Sequence, residues 1–448
     1  MRAKVTLIYI DSGGGHRAAA TALEAAIRRQ ERPWDLEMVS IQDLLDSIDF
    51  IRKSTGIAMQ DVYNIMLRHG WTRGTAQIIP VMHGLIRASH AAQVKVLEEY
   101  WKRHRPDLAV SLIAHYNRAL KEALERAWPG TPYVTLLTDI ADYPPHFWIE
   151  PMDQWVICGS DRAVEQARAI GLAEDRILRA SGMILNPDFY APLEIDRRAE
   201  RERRGLEPDL PTGLVLFGGE GSSEMVRIAR ALSRERGLQL ILLCGRNDAV
   251  ARELRAMDSG IPMLVEGFTR DIPLYMELAD FFIGKPGPGS ISEALSKRLP
   301  VIVQRNSWTM AHERYNTEWV EELGAGTVVE DFSRDIAAAV RRLLAPENYA
   351  RYRERAAATR NSAVWEIPEM LQRILSAKGG DGVTTGPAGR AFCADGEGEH
   401  EVEEHAERDT DECPAGNRVQ RGQRKASGRW RRQWRGGAAD SRTGARQG

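Results

Sequence analysis

Asp11-Ser12-Gly13-Gly14-Gly15-His16-Arg17-Ala18 joins the apolar run Val5-Thr6-Leu7-Ile8-Tyr9-Ile10 to an alanine-rich amphipathic stretch at 18–29. The run reads as a buried strand and the stretch as a helix, so the glycines occupy a strand-to-helix turn. Working outward, the same alternation continues. Further strands are expected at 108–113, 133–137, 155–158, 214–217, 240–244, 263–265, 281–283 and 301–303, with helices at 118–127, 224–233 and 291–296. A β-α-β-α rhythm implies an α/β protein with doubly wound parallel sheets covered on both faces.

The chain has 448 residues, enough for two or three domains. Around 186–211 the rhythm loosens into a Pro-bearing segment that is dense in charge at 196–204, and a fresh βα series begins at 214. The expected division is 1–190 and 191–347 as two Rossmann-like domains, with terminal helices at 348–376. Beyond 376 come glycine-rich sequence, an acidic block at 397–412 and a basic block at 418–435. Almost no aliphatic residues are available there to offset the entropy of ordering, so 377–448 reads as a disordered tail. Trp430 and Trp434 among its arginines would suit RNA or an anionic lipid, but a solvated tail explains the same composition.

Lys+Arg 61 against Asp+Glu 63 leaves a net charge of −2, which excludes a binder held to nucleic acid by a global positive field. Cys158, Cys244, Cys393 and Cys413 form no C-x-x-C pair, so neither a disulfide framework nor a thiolate metal site is expected. No apolar run reaches the ~18 residues of a membrane span, and the first residues read as a strand and not as a signal peptide. A cytoplasmic protein that meets a membrane from its surface fits best.

Three glycine-rich turns carry the chemistry. In the first, Gly13, Gly14 and Gly15 let backbone N–H groups approach a ligand while the following helix offers its positive end to negative charge. His16 is the side chain best suited to take a proton near neutral pH. Gly13, Gly15 and Ala18 also fit a loose G-x-G-x-x-[GA] pattern, which leaves open a dinucleotide-dependent oxidoreductase with Asp35 or Glu37 on the ribose. The second turn is Gly218-Gly219-Glu220-Gly221-Ser222-Ser223 and the third is Gly284-Lys285-Pro286-Gly287-Pro288-Gly289-Ser290. Pro286 after Gly284-Lys285 excludes a Walker A loop, yet both turns suit a diphosphate. Glu293, one turn into the following helix, can accept from ribose hydroxyls or can complement the helix dipole.

These stretches, with Cys244-Gly245-Arg246-Asn247, Glu266-Gly267-Phe268 and Ala311-His312-Glu313-Arg314-Tyr315-Asn316, together resemble the monogalactosyldiacylglycerol synthase-type and processive diacylglycerol glycosyltransferases of glycosyltransferase family 28. The resemblance runs in order through nearly all of 1–376. That family is related to the lipid I N-acetylglucosaminyltransferase. The resemblance implies a GT-B architecture, with two Rossmann-like domains facing a cleft, a UDP-sugar held mainly by the second and an acceptor approaching the first. By position, Gly267 and Phe268 resemble the base-reading segment. Pro286, Gly287, Gly289 and Ser290 resemble the phosphate site, and Glu293 the ribose ligand. Gly218, Gly219, Glu220, Gly221, Ser222 and Arg246 line the donor side. Glu313 and Asn316 match sugar-holding positions, and His312 stands where the family has Gln. On the acceptor side, Asp139, Pro145 and Phe147 resemble a T-D…P-x-[aromatic] stretch, with Phe147-Trp148 in place of Trp-Phe. His115 falls at a family histidine position, although a core histidine bonded to backbone explains it as well.

The expected reaction is inverting transfer of galactose or glucose from a UDP-hexose to a lipid hydroxyl, diacylglycerol foremost and a polyprenyl-linked acceptor as the alternative. His16 serves as base or as a donor contact. No tightly bound cofactor, metal or specific nucleic acid is expected. Residues 51–105 interleave cations such as Arg52, Lys53, Arg68 and Arg73 with Tyr63, Met66 and Trp71. Such a segment can rest on an anionic membrane, each surface cation adding ~1 kcal/mol, or can pack on the first domain with a basic outer face. The expected location is peripheral, on the inner face of the cell membrane.

Overall fold

The computed structural model describes residues 2–11, 15–46, 84 and 88–378. Gly13, Gly14, Cys393, Cys413, most of the basic 51–105 segment and the expected disordered tail beyond 378 lie outside the described residues. The described residues form one compact unit.

The first sheet takes β1 (Ala3–Tyr9), β2 (Trp34–Ser40), β3 (Leu108–Ser111), β4 (Tyr133–Leu136), β5 (Trp155–Cys158) and β6 (Ile177–Arg179) in the order β2-β1-β3-β4-β5-β6. All pairs are parallel, with Val5 opposite Leu36 on one side and Leu108 on the other. The second sheet takes β7 (Thr212–Leu216), β8 (Gln239–Leu243), β9 (Met263–Glu266), β10 (Phe281–Gly284), β11 (Val301–Gln304) and β12 (Gly326–Val329) in the order β12-β11-β10-β7-β8-β9. Two doubly wound parallel sheets are the architecture the sequence implied.

Helices cover both faces. Around the first sheet are α1 (Gly15–Arg29), α2 (Ile41–Leu45), α3 (His90–Arg103), α4 (Asn117–Ala127) and α5 (Asp161–Ala169). Then come α6 (Arg197–Arg203), α7 (Glu224–Leu232), α8 (Asp248–Arg255), α9 (Ile272–Leu278), α10 (Pro288–Ser296), α11 (Arg314–Leu323), α12 (Phe332–Leu344), α13 (Pro346–Ala358) and α14 (Ala363–Lys378). Alternation along β1 sends Val5 and Leu7 toward Leu23 and Ile27 of α1, and Ile8 toward Leu97 and Trp101 of α3. Along β7, Val215 meets α7 and α12 while Leu214 and Leu216 face α9 and α10. Trp101 is fully buried, and a side chain of that size stabilises the fold by roughly 3 kcal/mol or more.

The last helix returns to the first layer. Val364, Ile367 and Leu371 of α14 enter the core beneath β1, the Trp365 carbonyl accepts from Gln30 Nε2 at 2.9 Å, and Arg32 pairs with Glu369 at 2.9 Å.

Two expectations change. Where the rhythm reads as loosening, 196–204 holds a capped helix: Asp196 caps α6 by accepting from Arg198 N and Ala199 N, and Arg201, 4% exposed, donates to Asp280 at 2.8 Å and to the Leu278 carbonyl. Its charge is consumed in packing the helix onto the second sheet. The first helix also begins at Gly15, not 18, so His16 lies within its opening turn.

Candidate active site

In an open parallel sheet, ligands bind beyond the strand ends where neighbouring strands lead in opposite directions. The first sheet has this switch between β1 and β3, the second between β7 and β10. His16 follows β1, and its Nδ1 lies 3.1 Å from the carbonyl of Leu112, the residue after β3. The imidazole therefore sits at the first switch point.

A carbonyl only accepts, so Nδ1 carries the proton and shares it with Thr138 Oγ1, 2.8 Å away. Nε2 is left with a free lone pair. Burial lowers the His16 pKa from its ordinary value and the nearby His312 lowers it further, against the opposing pull of Asp139 and the Leu112 bond. The ring is thus neutral near neutral pH, the form a base requires.

The loop after β4 supports this arrangement. Trp148 is fully buried, its ring 5.6 Å from that of His16, and its Nε1 donates to Asp139 Oδ2 at 2.9 Å. The Asp142 carboxylate accepts from the backbone of His146 at 3.0 Å and of Trp148 at 2.7 Å, which fixes the loop. Phe147 is buried and Pro145 is exposed. His115 holds a left-handed backbone at φ 71°, donates its N–H to the Phe147 carbonyl at 2.9 Å and sets its ring edge-on to Phe147. The ring is half-buried and packs on Phe147.

At the second switch point the turns after β7, β8 and β9 interlock. Arg246 N donates to the Gly219 carbonyl at 2.8 Å and Cys244 N to that of Glu266 at 2.8 Å. Gly245 has φ 58°, and a Cβ there would stand 2.2 Å from the Gly219 oxygen, so only glycine fits. Glu220 pairs with Arg246 at 3.3 Å, and the Arg246 guanidinium lies 4.5 Å above the ring of Phe268. Phe268 is 54% exposed, an apolar face offered to a planar partner. Ser222 Oγ accepts from Glu224 N at 3.2 Å, and Gly267 abuts Gly245.

The turn after β10 forms the other wall. Gly287 caps α10, Ser290 Oγ donates to its carbonyl at 3.2 Å, and the space beside Gly289 is open. Asn316 Nδ2 holds the Pro286 carbonyl at 2.8 Å. Lys285 Nζ lies 3.3 Å from the buried Glu313; burial would raise that carboxyl, but Lys285 and His312 outweigh it and hold its pKa down. Glu293 has no such partner among the described residues, and burial pushes it up to about 7. His312 Nδ1, Asn316 Oδ1 and Ser292 Oγ are buried without a protein partner. Buried polar atoms are nearly always bonded, so the orphaned atoms of His312 and Asn316, four positions apart beside Glu313, point to a ligand. His312 also stacks on Phe147, rings 5.8 Å apart and 10° from parallel, and Tyr315 meets Tyr143 at 5.6 Å. The two walls face each other through these pairs.

Motif reading named Thr138 and Trp148 within the T-D…P-x-[aromatic] stretch and Lys285 within the third turn without giving them a role, and it did not name Asp142. Asp139 addresses the indole of Trp148 and reaches His16 only through space. Among the described residues no group of three or more His, Cys, Asp or Glu is arranged to hold a metal ion, and no helix is long and apolar enough to cross a membrane.

Two Rossmann-like sheets whose switch points confront one another, one bearing an unencumbered imidazole and the other glycine turns at a helix start, define a GT-B glycosyltransferase. Residues 214–367 match the glycosyltransferase family 28 C-terminal domain. The solved fold of MurG from Acinetobacter baumannii is similar at a TM-score of 0.52 and 13% identity, covering 83% of this chain and 99% of that one. The calicheamicin glycosyltransferase CalG4 is similar at 0.53 and 16%, covering 84% and 99%. Among curated relatives, probable monogalactosyldiacylglycerol synthase 3 of Oryza sativa subsp. japonica is 31% identical over 367 residues, 78% of this chain and 69% of that protein. Probable monogalactosyldiacylglycerol synthase 2 of the same rice is 30% identical over 357 residues, 76% and 72%. The chain belongs to the monogalactosyldiacylglycerol synthase family and is a UDP-sugar-dependent glycosyltransferase. The oxidoreductase alternative finds no support in these comparisons; of its two candidate ribose carboxylates, Glu37 is held by Tyr100 at 3.0 Å and His104 at 3.0 Å, whereas Asp35 is exposed beside Arg2.

Proposed function

We propose that the protein transfers galactose or glucose from a UDP-hexose to a hydroxyl of diacylglycerol, with inversion at the anomeric carbon. The relatives' names support a galactosyl donor and that acceptor. The observation that carries the mechanism is the His16 ring at the first switch point, tethered through Nδ1, which leaves the Nε2 lone pair to act as the base. Nε2 takes the hydroxyl proton as the acceptor oxygen bonds to the anomeric carbon and the bond from that carbon to the diphosphate oxygen breaks. A positioned base of this kind contributes ~10²–10⁴-fold. Backbone N–H groups where α10 begins receive the departing negative charge. Glu293 accepts from the ribose hydroxyls, Phe268 and Gly267 face the base, and His312, Glu313 and Asn316 hold the hexose. The UDP-sugar enters as a substrate, with no tightly bound cofactor.

In this reading 1–190 receives the acceptor, 191–347 holds the donor, and 348–376 ties the two together. The enzyme works as a peripheral protein on the inner face of a membrane, with 51–105 against anionic lipid. Purified protein is incubated with a panel of UDP-sugars and extracted lipids, followed by mass spectrometry of the lipid fraction. A hexosyl-diacylglycerol is expected; a hexosylated polyprenyl lipid in its place would shift the acceptor. His16→Ala should abolish UDP release and leave UDP affinity intact, whereas a donor contact would lose both together.

A further inference from the structure

The turn between β10 and α10 offers fewer backbone donors than its glycines suggest. Pro286 and Pro288 have no N–H, and Gly287 N already donates to the Lys285 carbonyl at 2.8 Å. Ile291 N donates to the Gly287 carbonyl at 3.1 Å, so the start of α10 leaves the N–H groups of Gly289 and Ser290 for a diphosphate. Those two donors face a leaving group whose charge grows by one unit when its bond to the anomeric carbon breaks. A cation between the turns would share that load.

Lys285 is placed to supply it. A Cβ on Gly287 would stand 3.4 Å from Lys285 Cε, and one on Gly218, across the switch point after β7, would stand 3.9 Å from the same atom. The end of this side chain therefore lies between two of the glycine turns. Among the described residues its Nζ has one hydrogen-bond partner, Glu313 Oε1 at 3.3 Å, longer than the roughly 2.8 Å of a close ammonium–carboxylate bond. An ammonium has three N–H donors, so two are unspent. The Lys285 side chain is 36% exposed, which lets a ligand in the cleft reach it. Arg246, the cation beside Gly219, is instead occupied by Glu220 and the face of Phe268.

We propose that Lys285 is a catalytic residue: its ammonium binds the β-phosphate of the UDP-hexose and holds the charge that the diphosphate acquires on departure. This rests on the reading of the cleft as the donor site. As the acceptor oxygen bonds to the anomeric carbon and its proton passes to His16 Nε2, the electron pair of the breaking bond stays on the β-phosphate oxygen, beside an ammonium that keeps all of its protons. Glu313, from which Lys285 turns, accepts from hexose hydroxyls in exchange.

Glu313 makes the role testable. In E313Q, Lys285 no longer has a buried carboxylate to neutralise, so adding K285M removes only the cation offered to the donor. E313Q and K285M/E313Q are titrated calorimetrically with UMP, UDP and UDP-galactose in the absence of acceptor. UDP, whose terminal phosphate bears the full departing charge, should bind on the order of tenfold to a hundredfold more weakly in the double variant. UDP-galactose should weaken less and UMP should be unchanged. The UMP affinity also reports a folded site; if K285M/E313Q loses UMP outright, K285Q/E313Q carries the test. Equal losses for all three nucleotides overturn the proposal, and equal losses for UDP and UDP-galactose with UMP spared overturn the part in departure. A wild type that binds none of the three overturns the donor-site reading and this inference with it. Wild-type binding with an unaltered ratio of UDP to UMP affinity in the double variant overturns this inference alone.

Discussion

Asp139→Asn is the sharpest probe of the imidazole. The Asn carbonyl oxygen still accepts from Trp148 Nε1, which now bonds to Asp139 Oδ2 at 2.9 Å, so the loop keeps its shape while one negative charge disappears. That charge lies one indole away from a ring 5.6 Å from Trp148, and it raises the His16 pKa against the effect of burial. At several ångströms and an effective dielectric of about 20, a unit charge is worth roughly 2 kcal/mol to an imidazolium. Two effects follow, both with definite sign. The acidic limb of the pH–rate profile, below which His16 is protonated and idle, moves to lower pH. The plateau above it falls about tenfold to a hundredfold, because the imidazolium formed as the proton transfers loses its counter-charge. UDP release from UDP-hexose and diacylglycerol vesicles, followed across pH for both proteins, measures limb and plateau together. A limb that stays in place or moves to higher pH would refute the electrostatic coupling, whatever happens to the plateau.

Glu293→Gln separates stability from binding. Burial raises this carboxyl to about 7, so its cost is absent below the ordinary carboxylate range, grows from there up to about 7 and is full above it; on the alkaline side, Gln should stabilise the ligand-free protein by ~1–3 kcal/mol in thermal melts while UDP binds roughly tenfold more weakly. Lys285→Met leaves Glu313 buried without its cation and should cost about 3 kcal/mol in urea unfolding, most of it regained in K285M/E313Q; equal midpoints would mean the pair contributes nothing. Gly245→Ala drives a Cβ onto the Gly219 oxygen at φ 58° and should lower stability by ~2 kcal/mol or more, with loss of UDP affinity as the 218–222 turn shifts; an unaltered melting curve would show that the interlock yields easily.

The central strands were legible, and of the four sheet edges only β9 was. Val5–Tyr9, Leu214–Leu216 and Phe281–Ile283 are continuous apolar runs because both of their faces are covered. The unread strands β2, β6 and β12 are all sheet edges. Trp34-Asp35-Leu36-Glu37-Met38 alternates, since Asp35 and Glu37 reach solvent or surface partners, and Ile177–Arg179 is too short to form a run. The segment at 196–204 misled for a related reason. Charge density signals a linker only if the charges are solvated, whereas Arg197 and Arg201 converge on Asp280, some eighty positions away, and nothing local announces that pairing.

The site was legible on one side of each crevice. A glycine motif records the turn after one strand, but a switch point is by construction a place where the neighbouring strand belongs to a distant part of the chain. His16 follows β1, while the groups that orient it, the Leu112 carbonyl and Thr138, follow β3 and β4 and are 96 and 122 positions away. Lys285 likewise meets Glu313 across 28 positions, and Asn316 secures Pro286 across 30. Motif reading therefore finds groups that approach the substrate, because backbone approach requires glycine and leaves a local trace. It can name groups that aim them, as it did Thr138 and Trp148 in the T-D…P-x-[aromatic] stretch, but not what they aim, because their partner His16 is more than a hundred positions away. The imidazole tautomer, on which the direction of proton transfer depends, is set entirely by this second kind of residue.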